Sequence, residues 1–128
     1  MCIRDRCTTV KPGDRVSAGY LDCYRTFARS KEECVLPIAD DMSFTEAAAI
    51  PTTFCTVHHG LFELARLQKG ESVLIHGGAG GTGQAAIQLA QYAGASIYVT
   101  VGSEEKKQLL MEQYGLSLIH ISEPTRPY

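Results

Sequence analysis

The chain has 128 residues, 45% of them hydrophobic and 20% charged, with a formal net charge of −2. That is enough for one small domain and far too little positive charge for a nucleic-acid footprint. There is no run of about eighteen apolar residues to span a membrane, and the scattered cysteines, without C-x-x-C spacing, argue against zinc and fit reduced thiols in a cytoplasmic protein.

Both ends stand apart from the rest. Residues 1–6 are MCIRDR and residues 116–121 are LSLIHI. Back-translated, the first is ATG TGT ATA AGA GAC AG; its reverse complement, CTG TCT CTT ATA CAC AT, encodes the second. This DNA resembles the transposon end used in sequencing-library adaptors, and residues 122–126, SEPTR, look like its continuation. Residues 1–6 and 116–128 are therefore expected to be adaptor-derived and to pack against nothing, leaving residues 7–115 as an internal slice of a longer protein. Without Arg4, Arg6, Arg126, Asp5 and Glu123, the twelve basic and fourteen acidic residues fall to nine and twelve, a net charge of −3.

Along the slice, Pro12-Gly13-Asp14 forms a turn ahead of a short strand over residues 15–18. Residues 26–28 and 34–36 are further strand candidates, separated by the charged loop 29–33. Composition changes at residues 37–41. There Ser43-Phe44-Thr45-Glu46 is a capping box opening a helix over Ala47, Ala48 and Ala49, with Pro51 as its end. A second helix over residues 53–67 carries Phe54, Val57, Leu61, Leu64 and Ala65 as an apolar stripe, and Lys69-Gly70 closes it.

Residues 71–83, ESVLIHGGAGGTG, organise the second half of the chain. Val73, Leu74 and Ile75 make a short buried strand. Gly78, Gly80 and Gly83 then give G-x-G-x-x-G, and residues 84–92 are strong helix formers. One such glycine bends the chain tightly, one lets backbone approach a pyrophosphate, and one lets helix and strand pack closely. The helix start then faces the anion with free N–H groups and a positive dipole end. A second strand over residues 96–100 completes a βαβ unit within the roughly 30 residues it requires. Ser103 caps a last helix, with Glu104 and Glu105 in its first turn and Gly115 as its stop. Helices join all the strands of this half, so its sheet should be parallel.

Nucleotide choice is read at the end of the second strand, where an acid binds a ribose 2′-hydroxyl and hydroxyl or basic groups accept a 2′-phosphate. Ser103 and Lys106 there favour NADPH over NADH. Glu104 reads as a first-turn acid, and Lys107 lies about 100° further round the helix. His58 and His59, adjacent on a helix, point too far apart to face one metal ion from one side, and are expected one packed and one partly exposed. His76 is expected to pack or hydrogen-bond beside the turn rather than transfer protons.

VKPGDRV, IADDMSFTEAAAIPTTFCT, ARLQKGESVLIHGGAGGTGQAAIQLAQ and TVGSEEKKQLL together resemble medium-chain dehydrogenase/reductases of the zinc-free enoyl reductase branch. Within it they most resemble the enoyl reductase domain of highly reducing polyketide synthases, with animal fatty acid synthase next. The resemblance implies an α/β fold: residues 7–37 as the β-rich tail of a GroES-like domain, and residues 38–115 as the first half of a Rossmann parallel sheet. It places NADPH on Gly78, Gly80, Gly81, Thr82, Gly83, Ser103 and Lys106. Thr82 stands where the family commonly has valine, a change expected to be tolerated because only its backbone faces phosphate. Val57-His58-His59 stands where the family often has aromatic pairs. The implied reaction is hydride transfer from NADPH to the β-carbon of an enoyl thioester on acyl carrier protein, then protonation at the α-carbon, in a homodimeric multidomain synthase. The family's proposed proton donors lie beyond residue 115, so no catalytic residue is named. A freestanding quinone oxidoreductase-like NADPH reductase shares the turn, and a slice this short could also be an inactive nucleotide-binding fragment.

Overall fold

The structure, a computed structural model, describes residues 7–19 and 23–117 and the backbone of residues 119–121. The Pro12-Gly13 turn, with Gly13 at φ 98°, leads into β1 (Val16–Ala18). This strand pairs antiparallel with β2 (Val35–Pro37), Val16 opposite Pro37 and Ala18 opposite Val35. Arg15 precedes the ladder, and its guanidinium fastens the segment ahead of the first helix: it donates to the carbonyls of Ala39, Asp40 and Met42 and lies 4.7 Å from the centre of the Phe44 ring. Cys34 ends a 3-10 turn, Glu32–Cys34, so β2 begins one residue later than the sequence suggests. Residues 26–28 are not a strand. Phe27 is 89% exposed, and among the described residues no strand pairs with this segment.

α1 (Phe44–His58) opens on the expected box. Ser43 Oγ accepts from the Glu46 amide at 3.2 Å, and the Ser43 amide donates to the Glu46 carboxylate at 2.8 Å. The sequence predicts a stop at Pro51, yet α1 runs through it. Proline cannot donate to the carbonyl four residues back, which is that of Ala47. The Ser17 hydroxyl supplies the missing bond at 2.9 Å. The helix then widens into a π-helical turn, His59–Leu64, closed by Ala65 N to Gly60 O at 3.0 Å and Leu67 N to Leu61 O at 2.8 Å. Wider turns rotate the apolar face. The stripe therefore holds only in part: Val57 is buried and Phe54 and Leu61 are half-buried, but Leu64 and Ala65 are exposed and Leu67 packs in their place.

Two compact units divide between Thr52 and Thr53, inside α1, whereas composition changes at residues 37–41. The second unit contains β3 (Ser72–Ile75), α2 (Gly81–Ala93), β4 (Ser96–Val101), α3 (Glu104–Tyr114) and β5 (Ile119–Ile121). Its sheet is parallel throughout, in the order β3-β4-β5, with Leu74 opposite Tyr98 and Ile75 opposite Val99. Ile75, Ile97, Val99 and Val101 share a core with Ile87 of α2 and Leu110 of α3. Ile87 and Leu110 are 0% exposed, a burial that contributes about 1.5–3 kcal/mol for each side chain. Leu74 and Tyr98, on the other face, are 57% and 44% exposed. β3 is thus buried on one face rather than both, because right-handed crossovers put α2 and α3 on the same side.

The expectation that both tails pack against nothing fails at the C-terminal end. Leu116 is buried in the core cluster, and β5 pairs with the outer edge of β4, Val99 opposite Ile119 and Val101 opposite Ile121. The outer edge of β4 presents unpaired N–H and C=O groups, and an apolar segment arriving after the Gly115 turn satisfies them whatever its origin. Residues 1–6, 118 and 122–128 lie outside the described residues.

Candidate nucleotide-binding turn

β3 ends at Ile75 and α2 begins at Gly81, so residues 76–80 form the connection at the carboxyl ends of two parallel strands. In open parallel sheets that is where ligands bind. The loop is tied to β4 twice. Gly78 N donates to Thr100 O at 3.0 Å, and His76 Nδ1 lies 3.0 Å from Thr100 Oγ1. His76 therefore hydrogen-bonds beside the turn, as the sequence suggests.

The glycines divide by what surrounds them. Gly78 and Gly83 are buried: a Cβ at Gly78 would lie 2.1 Å from Val99 Cγ1, and one at Gly83 would lie 2.5 Å from Gly77 O and 2.6 Å from Gly78 Cα. These two let the turn lie on β4 and α2 lie on the turn. Gly80 and Gly81 are exposed, and a Cβ there would meet only Gly77 O at 3.4 Å and Thr53 Cγ2 at 3.7 Å, respectively. Packing within the chain does not demand glycine at either position. Thr82 is exposed beside them.

Gly80 is the N-cap of α2, at φ −78° and ψ 164°, and no side chain caps the helix. The first bond of its ladder is Gln84 N to Gly80 O at 2.9 Å, so the amides of Gly81, Thr82 and Gly83 precede that ladder. Together with the helix dipole they make a cradle suited to an anion. α1 and α3, in contrast, start on side-chain caps. At α3 the Ser103 hydroxyl accepts from Lys106 N at 3.4 Å. Lys107 is engaged by Glu104 at 3.2 Å, while Lys106 is exposed one turn from the cap.

The sequence reading overlooked the glutamines. Gln84, Gln88 and Gln91, at i, i+4 and i+7 of α2, all hydrogen-bond to Tyr114, and Gln84 also reaches the turn. That spacing on a helix whose other face is apolar was the available signal. His58 and His59 are both exposed, His58 lying against Phe62 with ring centres 5.1 Å apart, so neither is packed away. The N-terminal unit has an open groove of about 710 Å³, lined by residues such as Val10, Arg15 and Pro37. It contains no glycine cradle and no helix start, and the turn is the better candidate.

A glycine turn between a parallel strand and an uncapped helix defines an α/β unit of dinucleotide-binding type. No protein-family model matches the chain. It is 52% identical over 114 residues to highly-reducing polyketide synthase 1 of Aureobasidium melanogenum, a match covering 89% of this chain and 5% of that protein's length. The solved CurK enoyl reductase is similar at a TM-score of 0.68 and 46% identity, over 75% of this chain and 28% of that one. The quinone oxidoreductase of Thermus thermophilus, solved also with NADPH, is similar at a TM-score of 0.61 and 29% identity, over 70% of this chain and 30% of that one. The chain belongs to the enoyl reductase segments of polyketide synthases, of the medium-chain dehydrogenase/reductase type.

Proposed function

We propose that the chain is the nucleotide-gripping part of an NADPH-dependent enoyl reductase that acts on α,β-unsaturated thioesters of acyl carrier protein, within a cytoplasmic, homodimeric, multidomain synthase. The observation that carries this is the Gly80-Gly81-Thr82 lip, exposed at an uncapped helix start, in a chain 52% identical to a highly reducing polyketide synthase. The residues present fit the cofactor: the amides of Gly81 to Gly83 would hold its pyrophosphate, and Ser103 and Lys106 its 2′-phosphate. When bound, the nicotinamide supplies the hydride. This chain's own part is to bind and orient, and no residue of it is assigned to proton transfer. Residues 7–37 correspond in this reading to the end of the GroES-like substrate domain and residues 38–115 to the first half of the nucleotide domain, with residues 1–6 and 116–128 adaptor-derived.

The freestanding quinone oxidoreductase reading draws on a more distant likeness, 29% against 46% identity. The reading is tested by titrating the chain with NADPH and by assaying the full-length parent on an enoyl thioester. Saturable binding together with NADPH-dependent reduction of the thioester supports it. A parent that reduces quinones and leaves enoyl thioesters untouched would favour the alternative.

A further inference from the structure

Tyr114, the last residue of α3, is hydrogen-bonded to the glycine turn through Gln84. Four hydrogen bonds run between α2, α3 and the turn. Gln88 Nε2 donates to Tyr114 Oη at 3.3 Å, Tyr114 Oη donates to Gln84 Oε1 at 2.9 Å, and Gln84 Nε2 donates to Ala79 O at 3.0 Å. Gln91 Nε2 donates to the Tyr114 carbonyl at 2.9 Å and anchors the residue from the other side. In the first three bonds every donor points the same way, so the chain is polarised toward the Ala79 carbonyl, the arrangement in which successive bonds strengthen one another. Ala79 O belongs to the peptide joining Ala79 to Gly80, whose N–H donates to Gly77 O at 3.0 Å. Both polar groups of that peptide are thereby taken, one by the relay and one by the turn itself. The peptide leads directly into the N-cap of α2, so its plane sets where the amides of Gly81, Thr82 and Gly83 point.

We infer that Tyr114, acting through Gln84, is a positioning residue for the anion cradle: it pins the Ala79–Gly80 peptide and so makes the grip on a dinucleotide depend on where α3 ends. The inference rests on the nucleotide reading of the turn for its consequence in binding, but not for its consequence in the free chain. Tyr114 is half-buried and lies against the core, so Tyr114→Phe keeps the ring and removes one hydroxyl.

The test uses the full chain as wild type, Tyr114→Phe, Gln84→Leu and the double variant, with two readouts. The first is amide exchange at Gly80 without ligand. Loss of the relay should speed it about three- to tenfold, the effect of one ordinary hydrogen bond, while the core amides of β4 stay protected. The second is NADPH affinity by fluorescence titration, which should weaken by a similar factor. In both, the double variant should go no further than Gln84→Leu alone, because the two residues act in series. A hydroxyl that served stability only would speed exchange equally in β4 and leave NADPH affinity unchanged, and that result would overturn the inference. So would unaltered Gly80 exchange in both single variants. If the wild type binds no NADPH while Gly80 exchange responds as stated, the nucleotide reading fails and the positioning of the turn stands.

Discussion

The Ser17 hydroxyl donates to the Ala47 carbonyl across 2.9 Å, standing in for an amide that Pro51 does not have. An internal proline ordinarily breaks a helix because it removes one bond and crowds the carbonyl four residues back. Here that carbonyl is turned to a neighbour on β1, and Ser17 and Ala47 are both buried.

Ser17→Ala should therefore leave a buried acceptor without a partner and destabilise the chain by about 1–3 kcal/mol. Pro51→Ala restores the amide, so Ser17→Ala in that background should cost measurably less. Urea unfolding of the four proteins checks this. Equal losses in both backgrounds would show that Ser17 acts by packing and not by completing the helix.

The capping box gives a pH dependence of definite sign. The Glu46 carboxyl is held below its ordinary range by the Ser43 hydroxyl first and the Ser43 amide second. A lowered folded-state value means that the contribution is complete above the unfolded carboxylate range and is lost as pH falls through the folded value. Glu46→Ala should unfold at lower urea than wild type near neutrality, and the gap should close in strong acid. A gap that persists in acid would mean that Glu46 acts by something other than its charge.

The glycines of the turn should separate under mutation. Gly83→Ala drives a methyl into the backbone of Gly77 and Gly78, and should cost about 1–3 kcal/mol or more in stability, as overpacking does. Gly80→Val meets only Gly77 O, at an ordinary contact distance of 3.4 Å, and at a φ and ψ that valine adopts, so it should leave the fold intact while abolishing NADPH binding. Thermal unfolding and calorimetric titration of the two variants decide it. Unchanged NADPH affinity in Gly80→Val would move the site elsewhere.

The second unit was legible because its signals are local. A glycine turn, Ser103 as a cap and Gly115 at φ 64° each announce one boundary, and all were placed from sequence. What was missed depends on partners far along the chain. Pro51 is tolerated because Ser17 bonds the Ala47 carbonyl that Pro51 leaves free, Leu64 turns outward at the end of the π turn, and residues 26–28 find no partner strand among the described residues. The pairing of β5 was missed for a related reason: an argument about the origin of a segment does not decide whether an open sheet edge will take it. At the site the glycines were named from their pattern, but which of them serve packing and which stay open depends on Val99, Gly77 and Thr53 around them.

In the function proposed above, cofactor choice turns on two residues at the start of α3. Ser103 accepts from Lys106 N and so keeps its own hydroxyl proton to offer a 2′-phosphate, and the exposed Lys106 adds a charge. Lys107 is drawn to Glu104 at 3.2 Å and lies about 100° further round the helix, so it should matter less. Replacing Ser103 and Lys106 together by alanine removes one neutral and one charge-assisted hydrogen bond, on the order of 2–4 kcal/mol. That is roughly 30- to 1,000-fold in NADPH affinity, with NADH binding nearly unaltered because it carries no 2′-phosphate. Removing the Ser103 cap also costs some helix stability, on the order of 1 kcal/mol, so the titrations belong at a temperature where the variant is fully folded. Ser103→Asp supplies the contrast: aspartate caps the helix as well as serine but repels a phosphate, so it should keep stability and lose NADPH. Equal losses for NADPH and NADH in the double alanine variant would assign these residues to the fold and take the 2′-phosphate away from them.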